Sequence, residues 1–417
     1  MKPRNILLLL TSLALAVNLA VGYRVYSSES LRPNEEAALE KINVMMRVLH
    51  LIQKDYVDPE DIDYESLIYN AMKGMVGALD PYSSFLRPDE FDDMVETTEG
   101  QFGGLGIVVT VRNGRLTVVA PIEGTPGSRA GILAGDQIIE INGQEVTDAK
   151  LSEAVQKLKG EPGTSVSLTI YRPDTEETKE LTVERAVIEV PSVKGTQIVA
   201  ETIGYVRIVQ FDEGTTGKLE AALATLNKEG AKALILDLRN NPGGLLTSAV
   251  DVCSQFLKPD KLVVFTEGRQ PSQRQEYLTD NGPKFLNPPV VCLVNHGSAS
   301  AAEIVAGCLQ DYKRAVLVGT PTFGKGSVQN VIRLPDGSAL RLTTAMYYTP
   351  SKRVIHEQGI EPNIVVKLSN EQAKALVERQ MAVGSSAELD PAADPQLQRA
   401  IETLQSYEVF QKASKPQ

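Results

Sequence analysis

Residues 319–327, GTPTFGKGS, place a lysine between two glycines in a pattern that begins like a nucleotide-binding loop. Such a loop requires Ser or Thr directly after its lysine to hold Mg²⁺, but Gly326 follows Lys325 here. It also opens a helix, whereas residues 327–348 alternate, turn at PDGS and alternate again, which predicts a β-hairpin. The sequence therefore argues against ATP binding and leaves the lysine available for other chemistry.

A candidate nucleophile lies upstream, in the stretch VCLVNHGSASAAEIV. The apolar run 289–295 predicts a buried strand that turns into a helix, so Ser298 and Ser300 emerge where open α/β sheets bind ligands. Ser300 begins the helix, where unpaired N–H groups favour a developing negative charge. Because Ser300 and Glu303 also match a capping box, a purely local role is the alternative.

Lys325 is a candidate general base for Ser300. The strand before it, RAVLVG, is expected beside the strand before Ser300, so both side chains would lie at one edge of the sheet. To accept a proton near neutral pH, the lysine needs its pKa lowered from about 10.4 to roughly 7 or 8, a shift of ~4 kcal/mol. Phe323 and Val328 are apolar neighbours that would supply burial, and Gln329 could hold the amine. The alternative is a solvated loop lysine.

A third strand-to-helix corner, DLRNNPGGLL, ends its strand at Arg239. Exposed N–H groups of Gly243 and Gly244 would suit an oxyanion hole, although a tight turn is the more common role of N-P-G-G. Three corners at one sheet edge, offering serine, lysine and glycine amides, are more specific than any one of them alone.

The composition argues against several classes of function. A net charge of −11, with no cluster of Lys and Arg, makes nucleic acid a poor partner. The three histidines include no H-E-x-x-H, and the three cysteines no C-x-x-C, so neither a zinc site nor a disulfide framework is indicated. Cys253, Cys292 and Cys308 lie in apolar runs and are expected in the core.

The N-terminus predicts export. Lys2 and Arg4 precede an apolar run from Ile6 to about Tyr23, which is the pattern of a signal peptide or membrane anchor within residues 1–28. Its length lies between a signal-peptide core and a full membrane span, so cleavage and retention both stay open. We expect the protein in the periplasm or cell envelope, anchored to the inner membrane if the segment is retained.

The next part of the chain predicts two helices between residues 34 and 79, then short strands around one helix from about residue 101. The phrases FGGLGIVV and GTPGSRAGILAGDQIIEINGQEV resemble a PDZ domain. This resemblance implies that a Gly-rich loop binds the terminal carboxylate of a peptide, which adds as a β-strand. The residues of that loop would be Gly104, Leu105, Gly106 and Ile107.

After about residue 191 the predicted strands alternate with helices, which implies a largely parallel sheet. The tail after residue 368 predicts a further helix, with Leu397, Ile401 and Leu404 on one face.

Several separated motifs resemble those of the carboxyl-terminal processing proteases, also called tail-specific proteases. In order they are AMKGMVGALDPYSSFL, the PDZ-like segment, DLRNNPGGLL, SASAAEI, GTPTFGKGSVQ and YYTP…GIEPNIVV, and they span about residues 40–370. The resemblance implies a serine nucleophile, a lysine base and a glutamine that supports the lysine, namely Ser300, Lys325 and Gln329. It implies an oxyanion hole built from the N–H of Ala301 and that of Gly243 or Gly244, and the choice between the glycines stays open.

The same resemblance implies an α/β multidomain fold: a ClpP/crotonase-like, mixed and largely parallel sheet core with an inserted PDZ domain and helical N- and C-terminal segments. The expected divisions are a signal peptide or anchor (1–28), an N-terminal helical region (29–95), the PDZ domain (96–188), the Ser/Lys protease core (189–368) and a C-terminal helical tail (369–417).

The implied function is that of an exported serine endopeptidase. It would recognise the free apolar C-terminus of a protein substrate through the PDZ domain and hydrolyse peptide bonds through an acyl-enzyme, without a metal or other cofactor. Expected partners are proteins or peptides with free C-termini, a second copy bound through the helical ends and an adaptor that delivers substrates, but not nucleic acid. The alternative is a non-catalytic or latent PDZ scaffold.

Members of the family often carry a basic residue near the end of the PDZ helix, and this residue links substrate binding to the active site. In this sequence Lys157 and Lys159, and no arginine, stand at that position.

Overall fold

The structure is a computed structural model. The chain forms two compact units, which comprise residues 1–74 and residues 75–417. The first contains α1 (Pro33–Asp55) and most of α2 (Tyr64–Gly77), which crosses into the second. The predicted export segment 1–28 lies outside the described residues, and no helix within them is long and apolar enough to cross a membrane. The described residues are 33–58, 62–112, 114–122, 124–133, 135–146, 151–173, 175–270, 274–280, 285–369, 371–373, 375–376 and 389–413.

After α2, a short strand and a helix lead into a small antiparallel domain. Its elements, with the two that precede it, are β1 (Ser84–Leu86), α3 (Pro88–Glu99), β2 (Gln101–Gly104), β3 (Ile107–Arg112), β4 (Arg115–Pro121), α4 (Pro126–Arg129), β5 (Gln137–Ile141), β6 (Gln144–Glu145), α5 (Leu151–Leu158), β7 (Ser165–Arg172), β8 (Glu177–Glu184) and β9 (Ala186–Glu189). The sheet order is β3-β4-β5-β7-β8, with β6 on β5, while β2 pairs with β9. Asn142 and Gly143 both have positive φ, which confirms the predicted tight turn between β5 and β6.

The larger α/β region follows. Its elements are β10 (Val193–Ala200), β11 (Ile203–Ile208), α6 (Thr215–Lys228), β12 (Ala233–Asp237), α7 (Leu246–Phe256), β13 (Leu262–Gly268), β14 (Gln275–Leu278), β15 (Val290–Val294), α8 (Ala301–Asp311), β16 (Ala315–Gly319), β17 (Ser327–Arg333), β18 (Ala339–Tyr348), β19 (Ile364–Val365), a 3₁₀ turn (Pro391–Ala393) and α9 (Pro395–Ala413).

The central sheet has the order β10-β11-β12-β15-β16-β19, and every neighbouring pair except β10–β11 is parallel. The predicted largely parallel sheet is thus confirmed. Side chains alternate between its two faces, because successive residues of a strand point to opposite sides. Leu234 and Cys292 pack on the face that carries α6, α7 and α8, whereas Ile235, Val291 and Leu293 pack against α9.

A second, antiparallel sheet holds the predicted hairpin. β17 pairs with β18 across the turn at PDGS, and β18 also pairs with β1 and β13. The strand β1 precedes the small antiparallel domain in the chain, so the segment before that domain is built into the same sheet as the hairpin. Cys253, Cys292 and Cys308 are fully buried, as predicted.

The C-terminal helix is fixed to the central sheet by apolar packing and a buried ion pair. Leu397, Ile401 and Leu404 lie buried on one face of α9, as their spacing predicted. Arg239, at the end of β12 and 1% exposed, is 2.8 Å from Asp394 and hydrogen-bonds the same carboxylate. The start of α9 is therefore tied to the strand that leads into the N-P-G-G turn.

Candidate active site

Ser300 lies where β15 ends and α8 begins. Its φ of 54° and ψ of −116° are unusual for a residue other than glycine and produce a sharp strand-to-helix turn. Its N–H donates to the Glu303 carboxylate at 2.9 Å, so the predicted capping interaction is present. The hydroxyl of Ser298 has a different role, because it donates to the Leu238 carbonyl at 2.7 Å and accepts from the Asn295 N–H at 3.0 Å.

The Glu303 carboxylate joins the turn of Ser300 to the loop of Lys325. It is fully buried and accepts four hydrogen bonds. One oxygen accepts from the Thr322 hydroxyl at 2.5 Å and the Gly324 N–H at 2.7 Å. The other accepts from the N–H of Ser300 at 2.9 Å and the N–H of Lys325 at 2.8 Å. The helix cap and the alignment of the two loops therefore depend on the same side chain.

Lys325 follows β16, which pairs in parallel with β15 as predicted. Its Nζ lies 5.2 Å from the centre of the Tyr82 ring, within the range of a cation–π contact. Burial lowers the pKa of Lys325, the positive charge of Arg341 lowers it further, and Glu303 acts in the opposite direction. A lowered pKa is what a general base needs. Among the hydrogen bonds of the described residues, none joins Nζ to Ser300 Oγ.

Gln329 does not hydrogen-bond the lysine. Its amide donates to the hydroxyls of Ser327 at 3.0 Å and Thr343 at 3.1 Å. Ser83 accepts a hydrogen bond from the Thr343 N–H at 3.0 Å, and its own hydroxyl donates to Asp80 at 2.6 Å. Gln329 is thereby connected to the turn that carries Tyr82, rather than to the amine.

Tyr347 contacts both halves of the candidate site. Its hydroxyl lies 2.9 Å from Ser300 Oγ and 2.5 Å from the carbonyl oxygen of Lys325. The side chain is buried, and its N–H donates to the Gly326 carbonyl at 2.9 Å, so β18 holds it directly beside the lysine loop. Burial raises the pKa of Tyr347, the hydrogen bond with Ser300 opposes that rise, and the charge of Glu303 adds to it. The phenol therefore keeps its proton throughout the neutral range.

The two glycines of the N-P-G-G turn differ in their contacts. The N–H of Gly243 donates to Asn241 Oδ1 at 2.8 Å. The N–H groups of Gly244 and Ala301 have no partner within the described part of the chain. A Cβ on Gly243 would lie 2.7 Å from Ser300 Cβ and 3.0 Å from the nitrogen of Ala301, so only glycine allows this close approach. Gly244 and Ala301 thus carry the unpaired amides at this corner.

The comparisons with known proteins fit this arrangement. The model of peptidase family S41 matches residues 202–366, and a PDZ-domain model matches residues 117–172. A carboxy-terminal-processing protease of Bartonella bacilliformis is 42% identical over 339 residues, which cover 80% of this chain and 77% of the relative. The chain belongs to the carboxyl-terminal processing proteases of peptidase family S41. A carboxyl-terminal-processing protease of Synechocystis sp. is 34% identical over 414 residues, covering 94% of this chain and 92% of that protein.

A solved S41 protease structure from Bacteroides fragilis shares the fold of this processing protease. It is 18% identical, with a TM-score of 0.50, and the match covers 86% of this chain and 97% of that one. Three predictions are thereby confirmed: the family, the mixed α/β fold with a PDZ domain, and a serine-type peptidase.

The PDZ domain of this processing protease has an open groove between the loop 104–107 and α5. The N–H groups of Leu105 and Gly106 have no partner among the described residues, and Gly106 has a φ of 68°. Val155 and Leu158 contribute apolar side chains on the helical side. The groove therefore combines free amides at the predicted loop with an apolar wall, which suits a terminal carboxylate followed by apolar side chains.

The two lysines at the end of the PDZ helix have different surroundings. Lys159 lines the groove, and its Nζ binds the carboxylates of Asp93 at 2.6 Å and Glu96 at 2.8 Å, both on α3. Lys157 instead donates to Gln144 at 2.9 Å. Lys159 therefore connects the PDZ groove to α3, which directly follows β1 in the chain.

Two tyrosines of the site had no predicted role. Tyr82 stands in DPYSSF and Tyr347 in YYTP, both within motifs that carry the family resemblance. Neither motif has a spacing that points to Ser300 or Lys325, because the contacts arise from the pairing of β1, β17 and β18.

Proposed function

We propose that the protein is an exported serine endopeptidase that binds the free apolar C-terminus of a protein substrate in its PDZ groove and cuts peptide bonds with a Ser300/Lys325 dyad. The observation that carries the proposal is the Glu303 carboxylate, which accepts the N–H of Ser300 at 2.9 Å and that of Lys325 at 2.8 Å. The lowered pKa of Lys325 supports its role as the base.

In the proposed reaction, Lys325 Nζ takes the proton of Ser300 Oγ as that oxygen attacks the substrate carbonyl carbon. The N–H groups of Ala301 and Gly244 hold the resulting oxyanion, since Gly243 has already donated its N–H to Asn241. Collapse breaks the C–N bond, and the lysine returns the proton to the leaving amine. Water then attacks the acyl-enzyme by the same route and releases Ser300.

The lysine amine must approach Ser300 before this reaction can begin. Nζ lies over the ring of Tyr82 and, among the described residues, makes no hydrogen bond to Oγ. We interpret this arrangement as the resting state of the site. Catalytic hydrogen bonds are often long in enzymes without substrate and shorten when substrate binds. The same arrangement favours one alternative, a latent PDZ protein that binds C-termini and needs a partner before it cuts. Support of the lysine amine by Gln329 is proposed for the same substrate-bound site.

The proposed specificity follows from the chemistry of the PDZ groove. The unpaired amides of Leu105 and Gly106 would bind the terminal carboxylate, and Val155 and Leu158 would contact apolar side chains of the substrate tail. Gly104 and Ile107 complete the loop.

Export, assembly and delivery of substrates are further parts of the proposal. The apolar N-terminal run supports export to the periplasm or cell envelope, with or without retention in the membrane. Exposed apolar side chains on α1, such as Ile42 and Met46, and on α9, such as Tyr407 and Val409, support a homodimer through the helical ends. An adaptor that delivers substrates would fit an enzyme that selects substrates by their tails.

The test is cleavage of an unfolded reporter protein with an apolar C-terminal tail. We expect wild type to cut it, Ser300→Ala and Lys325→Ala to lose at least about 1000-fold in rate, and amidation of the reporter C-terminus to weaken cleavage. Ser298→Ala is the control for the serine. Tail binding by wild type without cleavage would favour the latent protein, and activity that survives in Ser300→Ala would refute the dyad.

A further inference from the structure

The hydroxyl of Tyr347 occupies a position that the Ser/Lys dyad does not explain. It lies 2.9 Å from Ser300 Oγ and 2.5 Å from the backbone carbonyl of Lys325, so one buried phenol bridges the nucleophile and the residue that carries the base. A tyrosine needed only for packing would fill the same volume without directing its hydroxyl at the reacting oxygen. The side chain is 3% exposed, so water does not compete readily for either contact.

The phenol has a single proton and two neighbouring acceptors. In the ground state the proton is directed at the Lys325 carbonyl oxygen, because this contact is shorter than the one to Ser300 Oγ. Once Lys325 Nζ takes the proton of Ser300, Oγ gains negative charge and becomes the stronger acceptor. The same oxygen gains charge again when it leaves as an alkoxide in the breakdown of the acyl-enzyme. A hydrogen-bond donor beside Oγ can therefore stabilise negative charge on that oxygen in both acylation and deacylation.

We propose that Tyr347 is a third catalytic residue, which donates its hydroxyl hydrogen bond to Ser300 Oγ as charge develops on that oxygen in acylation and deacylation. The O–H bond of the phenol does not break: the serine proton goes to Lys325, and Tyr347 only strengthens a hydrogen bond. The inference rests on the proposed function, since it requires Ser300 as the nucleophile. The burial that raises the pKa of Tyr347 keeps the donor protonated over the working range of the enzyme.

A purely structural role is the competing explanation, because the same hydroxyl anchors the Lys325 loop. Loss of that anchor would displace the lysine from the burial that lowers its pKa and from Arg341 and Glu303, whose charges also shift it. The pH at which activity rises would then shift. Loss of a donor to Oγ would lower the rate and leave that pH unchanged, because a neutral phenol adds no charge near the amine.

The adjacent tyrosine provides a matched control. Tyr348 follows on the same strand and lies on the opposite face, where its ring stacks on Phe265 with centroids 5.1 Å apart. Its hydroxyl makes no hydrogen bond within the described residues. Tyr347→Phe and Tyr348→Phe thus remove the same atom from neighbouring positions, of which only one faces the nucleophile.

The experiment measures kcat, KM and the pH dependence of kcat for wild type, Tyr347→Phe, Tyr348→Phe and Ser300→Ala with the apolar-tailed reporter. We expect Tyr347→Phe to lower kcat by about 10- to 100-fold, the range for a hydrogen bond to a charged acceptor, with KM and the midpoint of the acid limb unchanged. Tyr348→Phe should match wild type. A Tyr347→Phe kcat equal to that of wild type, or a fall accompanied by a shift of the acid limb, would overturn the proposal. Cleavage by Ser300→Ala would refute the proposed function itself, whatever the result at Tyr347.

Thermal denaturation would show whether Tyr347→Phe folds. If it does not fold, a second measurement tests the same proposal without removing the hydroxyl. Incorporation of 3-fluorotyrosine at position 347 keeps the ring and hydroxyl but makes the hydroxyl a stronger donor. We expect kcat to change while KM stays constant, and the same label at position 348 to have no effect. Equal kcat values for the labelled and unlabelled enzymes would contradict a role for this hydroxyl in the transition state.

Discussion

Replacement of Glu303 by glutamine tests whether one carboxylate aligns Ser300 with Lys325. The fully buried side chain accepts from Ser300, Thr322, Gly324 and Lys325, and each contact is 2.5–2.9 Å long. An amide has one acceptor oxygen, so its NH₂ group would face two of these donors. The Thr322 hydroxyl can rotate to accept, but a backbone N–H cannot. At least one buried donor then loses a bond of ~1.5–3 kcal/mol to a charged acceptor.

The same substitution should shift the pH dependence of catalysis. The negative charge of Glu303 raises the pKa of Lys325, against the effects of burial and Arg341. Its removal therefore lowers that pKa, and because Lys325 must be neutral to accept a proton, the acid limb of kcat should move to lower pH. We expect a lower kcat at the optimum and a loss of about 1.5–3 kcal/mol in the free energy of unfolding in urea, a large fraction of a typical domain's total stability.

The control for this prediction is Glu357→Gln. Its backbone N–H donates to the Gly324 carbonyl at 2.8 Å in the same loop, but its side chain is 86% exposed. We expect its stability and pH profile to match those of wild type. If Glu303→Gln also unfolded at the wild-type urea concentration and kept the wild-type acid limb, the reasoning about the buried carboxylate would be refuted.

Two further substitutions test the surroundings of the site. Gly244→Ala would place a Cβ 2.0 Å from a backbone carbonyl oxygen at a φ of 140°, so we expect kcat to fall by about 100-fold or more. Gly217→Ala should keep wild-type kinetics, because its Cβ would meet no atom of the described residues within 4 Å. Asp394→Ala removes one buried partner of Arg239 and should lower the free energy of unfolding in urea by about 3–5 kcal/mol, against at most ~1 kcal/mol for Glu402→Ala on the exposed face of α9. Equal effects of Asp394→Ala and Glu402→Ala would show that the buried pair does not fix the helix.

Local pattern was sufficient for most of the fold because each element carries its own signal. The alternation of apolar residues on either side of PDGS specified the β17–β18 hairpin, and strands separated by helices specified the parallel order of β12, β15 and β16. The adjacency of β15 and β16 in turn brought Ser300 and Lys325 to one edge without any knowledge of their side-chain contacts. The antiparallel sheet that combines β1 with β18 and β13 had no such signal, since its strands are separated by the PDZ domain and by the central sheet.

The unpredicted parts of the site depend on contacts between segments far apart in the chain. Tyr82 meets Lys325 only because β1 pairs with β18 across the inserted PDZ domain, and no sequence period records that pairing. The choice between Gly243 and Gly244 depends on whether a single side-chain amide, that of Asn241, has already taken one N–H. Spacing can therefore bring Ser300 and Lys325 to one sheet edge, but the N–H groups available to bind a developing oxyanion are those that remain unpaired after folding. Which N–H groups stay unpaired depends on the whole hydrogen-bond network, and a local motif does not encode that network.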